Sequence, residues 1–381
     1  MVPTDLLAAA TEQTGLEDFG SGTFREGLDV YCQSVRSEAR LNEVGEMAVS
    51  ATVVSSLANR LKVVDWAGRH PDVAGEPIEA PLVVIGMFRA GTTLLSNLLD
   101  QDPANRALLR WEAADSVPPP GPADHRSGPR VDAARAGAAM LEHLNPMVPV
   151  VHHEEVDGPT ECIAVMNQEF KSMALEAISN VPTYGRWLLG IDQRSAYEYH
   201  RLVLQVLQNG GVRGRWTLKS PHHATALEAL TAVYPDATLV LLHRDPVILC
   251  ASVCSLIYTL SSTFSDADHR AYIARHWTDM LETSIERVEA FRHAHPEHPI
   301  LDVQYDDLVN SPVDTVAGIY RAAGDTLADE AAAAMQSYVA ANRKGRFGEH
   351  RYDLADFGLD RDEVAERFSG YVDRYAIATR V

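Results

Sequence analysis

The chain has 381 residues, 53 of them acidic and 33 basic, which gives a formal net charge of −20. So negative a protein is a poor fit to nucleic acid or to an anionic membrane surface, although one local pocket can still be positive. The 46% hydrophobic fraction is that of a globular chain and excludes wholesale disorder.

From the N-terminus, no basic stretch precedes a long apolar run, so no signal peptide is expected. Residues 1–78 read as a helical N-terminal extension, most clearly over 51–66, where apolar residues recur at helical spacing before Gly68 and Pro71. Packing on the main domain is the plain reading of this extension. A substrate lid or a contact in a homo-oligomer is the alternative. The main domain then spans 79–381. Residues 82–85 form a short apolar run rich in β-branched side chains, as expected of a strand buried on both faces. An amphipathic helix follows over 92–100. Residues 117–130, rich in Pro and Gly, read as an exposed loop near a site mouth.

Three more strands are expected at 215–218, 238–243 and 300–305, separated by helical patterns. Ser220-Pro221 and Asp245-Pro246 each have the form of an N-cap followed by Pro at the first helical position. Strands alternating with helices point to an α/β fold with a parallel sheet flanked by helices. The uncharged run 247–264 contains several Ser and Thr, and reads as a buried helix rather than an integral membrane segment. Cys32, Cys162, Cys250 and Cys254 include no C-x-x-C pair and are too few for a disulfide framework, which suits a reduced, cytoplasmic setting. Cys250 and Cys254 are one helical turn apart, but no neighbouring ligand pair completes a metal site.

Three segments carry chemistry. In Gly86-Met87-Phe88-Arg89-Ala90-Gly91-Thr92-Thr93-Leu94 a glycine-bearing turn joins a buried strand to a helix. Amides at a helix start lack internal acceptors and the helix dipole favours an anion there. Arg89 adds a fixed cation, and Thr92 and Thr93 add hydroxyls. The loop is not a nucleoside-triphosphate loop of the G-x-x-x-x-G-K-[ST] type, because Thr92 stands where the Lys belongs. The second segment is Arg244 at the end of a strand, with Ser252 eight residues later on the following helix. The third is Arg343-Lys344-Gly345.

Together these segments resemble the PAPS-dependent sulfotransferase family, PAPS being 3′-phosphoadenosine 5′-phosphosulfate. Arg89-Ala90-Gly91-Thr92-Thr93 is similar to the family's 5′-phosphosulfate loop, with Ala for the usual Ser. Arg244 and Ser252 match its 3′-phosphate pair, and Arg343-Lys344-Gly345 its late cluster. The run 303–309, which contains Tyr305, is similar to a further family segment. The resemblance covers about residues 80–350 and implies a P-loop-kinase-like fold, PAPS as donor, PAP as product and no metal. It implies a bacterial branch of the family, a hydroxyl acceptor that is small or lipidic, and no nucleic-acid partner. By the same resemblance Arg89, Ala90, Gly91, Thr92, Thr93, Leu94, Arg244, Ser252, Tyr305, Arg343, Lys344 and Gly345 would bind the donor.

The resemblance also suggests catalytic groups. Lys219 would stabilise the sulfonate, as would Arg89. The usual histidine two places after that lysine is Pro221 here, which leaves His222 displaced by one. Glu112, 23 residues after Arg89 and beside Trp111, is similar to the glutamate base of tyrosylprotein and several bacterial sulfotransferases. Glu112 is therefore expected as the base, with His222 as the second choice and His152, His153 or Glu154 behind them. A nucleotide kinase or NTPase, or a non-catalytic PAP-binding protein, are the competing readings.

Overall fold

The structure is a computed structural model that describes residues 1–342 and 353–379. Five strands form one parallel sheet: β1 (Leu82–Gly86), β2 (Asn105–Ala107), β3 (Arg215–Ser220), β4 (Thr238–His243) and β5 (Ile300–Gln304). Their order is β2-β3-β1-β4-β5. β1 is central and all five of its residues are buried, as the uninterrupted apolar run requires of a strand covered on both faces. Its register pairs Ile85 with Ser220 on one side and with Leu241 on the other. The end of β1 therefore lies beside the ends of both β3 and β4.

The expected strands are all present, and one was missed. β2 has only three residues, too few to show a period, and it pairs at the sheet edge with β3. Tyr305 does not finish β5 but opens the helix Tyr305–Asn310. Ser220-Pro221 opens a 3-10 turn, Pro221–Thr225, rather than a long helix. Asp245 caps the helix Pro246–Ser261 as its sequence predicts, accepting from the Val247 amide at 2.9 Å. Among the described residues no helix is long and apolar enough to cross a membrane.

The N-terminal segment is helical, with α1 (Pro3–Thr14), α2 (Arg25–Ser34) and α3 (Glu43–Arg69). Asn42 caps α3 by accepting from the Gly45 amide at 2.8 Å. Val49, Val53, Leu57 and Leu61 recur every four residues along α3 and are buried as one stripe. They share a core with Phe170, Met173, Leu175 and Tyr184. Arg60 fastens the two parts together. It is buried between the rings of Phe24 and Tyr199, donates to the Phe19, Ser21 and Gln168 carbonyls, and pairs with the buried carboxylate of Glu169. The extension thus backs the segment from Ile163 to Ile178, which forms one wall of the site described below.

Candidate active site

The turn after β1 is built for close approach. Gly91 adopts φ +98°, and a Cβ there would stand 2.9 Å from the Tyr305 ring. Gly86 admits Thr92, whose methyl carbon would lie 2.3 Å from an added Cβ. Arg89 is itself left-handed at φ +66°, a conformation that disfavours a non-glycine residue. Leu95 is the first amide of α4 (Thr92–Leu99) to bond backwards, to the Gly91 carbonyl at 3.2 Å. The amides of Thr92, Thr93 and Leu94 precede it and have no acceptor within the helix. Ala90 is buried, and its amide bonds to the Met87 carbonyl at 3.1 Å, closing the turn.

Arg244 leaves the end of β4, next to this turn. Its guanidinium donates to the Arg89 carbonyl at 2.7 Å and lies 4.1 Å from the centre of the Tyr305 ring. Its buried Nε has no hydrogen-bond partner among the described residues. Ser252, on the helix that Asp245 caps, accepts from Arg89 Nε at 3.2 Å. The strand-to-helix loop, Arg244, Ser252 and Tyr305 therefore converge at the carboxyl ends of β1 and β4, where open α/β sheets bind ligands. Arg343, Lys344 and Gly345 lie outside the described residues.

Two cavities meet at this point. One, of about 420 Å³, runs from Arg89, Gly91, Thr92, Thr93, Arg244 and Tyr305 into an apolar chamber. Its walls include Phe88, Ile163, Met173, Ile257, Leu260 and Trp277. The other, of about 670 Å³, is more polar and includes Asn97, Arg126, the 149–155 segment and Asn342. Arg89, Thr93, Leu94 and His152 line both. The Pro/Gly-rich loop contributes Arg126, held by Asp100 at 2.6 Å.

The structure places three of the expected catalytic groups, Glu112, His222 and Lys219, outside the lining of both cavities. Glu112 lines neither cavity. It is fully buried, and both carboxylate oxygens are taken by Arg106, at 2.7 and 3.0 Å. Burial pushes its pKa up, but Arg106 and His125 outweigh that and hold the carboxyl below its ordinary value. In this structure its carboxylate is committed to Arg106 and faces neither cavity. His222 is also fully buried and away from the cavities, with Nε2 against Gln193. Burial, assisted by Arg287, drives it down to about 3. Lys219 does end β3 beside the turn, but its side chain is only 1% exposed and faces neither cavity. Its ammonium lies 3.1 Å from Glu154 and 3.3 Å from Glu161. Burial disfavours its charge, and the two carboxylates overcome this and raise its pKa above the ordinary lysine value.

Glu161 is not among the residues the sequence points to, and no local pattern there marks it. His152 and Glu154 stand among the candidate bases, behind Glu112 and His222. Cys250 and Cys254 are buried in the core, where burial pushes both thiols up to about 12.

The comparison with known proteins decides the family. A model of the sulfotransferase family matches residues 81–329. The chain belongs to the sulfotransferase family. It is similar to sulfotransferase STF9 from Mycobacterium avium at 32% identity and TM-score 0.90, covering 98% of this chain and 97% of that one. It is similar to sulfotransferase STF1 from Mycobacterium tuberculosis at 34% identity and TM-score 0.87, covering 97% and 99%. It also matches the omega-hydroxy-beta-dihydromenaquinone-9 sulfotransferase Stf3 of Mycobacterium bovis, at 22% identity over 74% of this chain and 76% of that protein. This sulfotransferase shares its fold with the two solved structures along nearly its whole length.

Proposed function

We propose that this sulfotransferase draws its sulfuryl group from PAPS and passes it to a hydroxyl on a lipidic or largely apolar acceptor, in the cytoplasm. One observation carries the reading: the anion-binding turn opens directly into an apolar chamber, so an apolar molecule can bring one polar end to the cradle. The name of the menaquinone sulfotransferase relative points to the same acceptor class.

The residues present suit the donor. The start of α4, Arg89 and the two threonines would hold the phosphosulfate. Arg244, with its buried Nε lacking a partner, and Ser252 would hold the 3′-phosphate. Bound there, PAPS supplies an activated sulfuryl group. The protein aligns it with the acceptor oxygen, stabilises charge on the departing phosphate, and keeps water out with the chamber walls. Arg343, Lys344 and Gly345 remain assigned to the donor by resemblance.

Acceptor chain length tests the function. Along a series of primary alcohols, each methylene that enters the chamber contributes about 0.8 kcal/mol, or roughly a fourfold gain in kcat/KM. The gain should stop when the chamber is full. A flat series, with best turnover on short polar alcohols, would defeat the apolar-acceptor reading.

The donor is tested separately. Arg244→Ala should weaken PAP by roughly 1.5–3 kcal/mol, the worth of a charge-assisted contact. Adenosine 5′-phosphosulfate lacks the 3′-phosphate and should lose much less. Calorimetric titration of both ligands checks this, and equal losses would remove Arg244 from the 3′-phosphate site.

A further inference from the structure

We propose that His152 is the base that takes the acceptor's proton and that Glu154 is its positioning residue, an assignment that rests on the sulfuryl-transfer function above. The placement comes first. Among the described residues four line both cavities, and of Arg89, Thr93, Leu94 and His152 only an imidazole is of a type that accepts a proton near neutral pH. It therefore stands where the polar cavity, the apolar chamber and the anion-binding turn meet.

The support behind it is equally specific. The His152 amide donates to the Val148 carbonyl at 2.8 Å, closing the short helix Val148–Val151. Its Nε2 lies 3.5 Å from Glu154 Oε1. That carboxylate is fixed on both oxygens: Oε1 accepts from Lys219 at 3.1 Å and Oε2 from the Thr160 hydroxyl at 3.0 Å. Burial opposes ionisation of Glu154, but Lys219 and His152 overcome it and hold the carboxyl well below the usual range. A carboxylate so acidic is a poor base and a good orienting partner. With Nε2 turned to Glu154, the nitrogen left to receive a proton is Nδ1, the division of labour of a histidine steadied by a buried acid. The charged groups around the pair include Arg89 on the cavity side, Lys219 behind Glu154, Arg110, which donates to the Glu154 carbonyl at 2.9 Å, and Glu161, whose carboxylate completes the lysine's shell at 3.3 Å. His153, next in the chain, lies against Glu155 at 3.1 Å.

In the step, the acceptor O–H bond breaks and its proton passes to His152 Nδ1. The oxygen forms a bond to sulfur as the sulfur–oxygen bond to the donor phosphate breaks, and PAP leaves with that electron pair. The imidazolium then gives its proton to water.

Single-turnover sulfation of dodecanol in detergent micelles, with saturating PAPS, provides the test. His152→Ala should slow transfer about 10²–10⁴-fold, the usual worth of a general base, while PAP affinity stays near that of the unaltered protein. Added imidazole should restore part of the rate, which a purely structural role would not allow. Glu154→Gln should slow transfer less and move the acid limb of the rate profile to lower pH, because the lost carboxylate no longer favours the imidazolium. Near-normal transfer by His152→Ala, or a large loss confined to Glu161→Gln, would overturn the assignment and in the second case move it to Glu161. An unmoved acid limb in Glu154→Gln would remove Glu154 from it. If the unaltered protein failed to bind PAP or to sulfate dodecanol, the fault would lie with the donor or acceptor reading and the base would fall with it.

Discussion

Arg89→Ala is expected to lower turnover about 10²–10³-fold, the usual loss when one preorganised donor to developing charge is removed. Arg89 lines both cavities and adjoins both residues proposed to hold the 3′-phosphate. Arg244 donates to its carbonyl at 2.7 Å, and its own Nε donates to Ser252 at 3.2 Å. With Lys219 enclosed by carboxylates, we take Arg89 as the side chain that would meet the sulfonate. Arg89→Lys should recover only part of the rate, because an ammonium cannot reproduce the planar fork. The left-handed backbone supplies a control. At φ +66° alanine is as strained as arginine, whereas glycine is not. Arg89→Gly should therefore melt no lower than Arg89→Ala while transferring equally slowly. Single-turnover rates and melting curves on the three variants check this. Transfer within a few-fold of normal in Arg89→Ala would leave the sulfonate to another group.

The parts legible in the sequence are those where chemistry and local geometry coincide over a few residues. β1, its glycine turn and α4 are contiguous, so their pattern shows the strand, the turn and the open helix start together. Arg244 and Ser252 were legible because a capped helix separates them by a fixed rise, and β4 lies beside β1. The position of Glu112 relative to the turn was not legible, because it depends on which strand a residue follows across the sheet. Glu112 does come after α4, as its spacing of 23 from Arg89 suggested. But the chain first enters β2, at the sheet edge with β3 between it and β1, and Glu112 is carried away from the turn. A three-residue strand leaves no periodic trace to announce that detour. The same limit applies to Lys219. Its place at the end of β3 was readable, but the carboxylates that close over it come from positions 154 and 161, outside any regular pattern. The N-terminal helices were visible as helices. Their common core with residues 170–188, pinned by Arg60 and Glu169, rests on contacts that no spacing encodes.

Glu112→Gln is expected to destabilise the fold by about 3–5 kcal/mol and to leave transfer by the folded protein nearly unchanged. The pair joins β2 to the helix Arg110–Ala114, with Arg106 stacked 4.6 Å from the centre of the Trp216 ring. Arg106 and Glu112 are 1% and 0% exposed. A neutral amide would leave the guanidinium buried without its counter-charge, and that penalty dominates when one partner of a buried pair is removed. The pH dependence follows from the direction of the shift. Glu112 titrates lower in the folded protein than a free carboxyl does, because Arg106 and His125 outweigh its burial. Its stabilisation is therefore complete above the ordinary glutamate range near pH 4.3 and is lost as pH falls through the depressed value. The stability difference between the unaltered protein and Glu112→Gln should be largest at neutral pH and shrink in acid. Urea melts from pH 7 down to about pH 3 measure it, and single-turnover rates below the melting range measure transfer. A base would give the opposite pattern, with stability little changed and transfer down by about 10²–10⁴-fold. That outcome would return Glu112 to the chemistry and remove His152 from it.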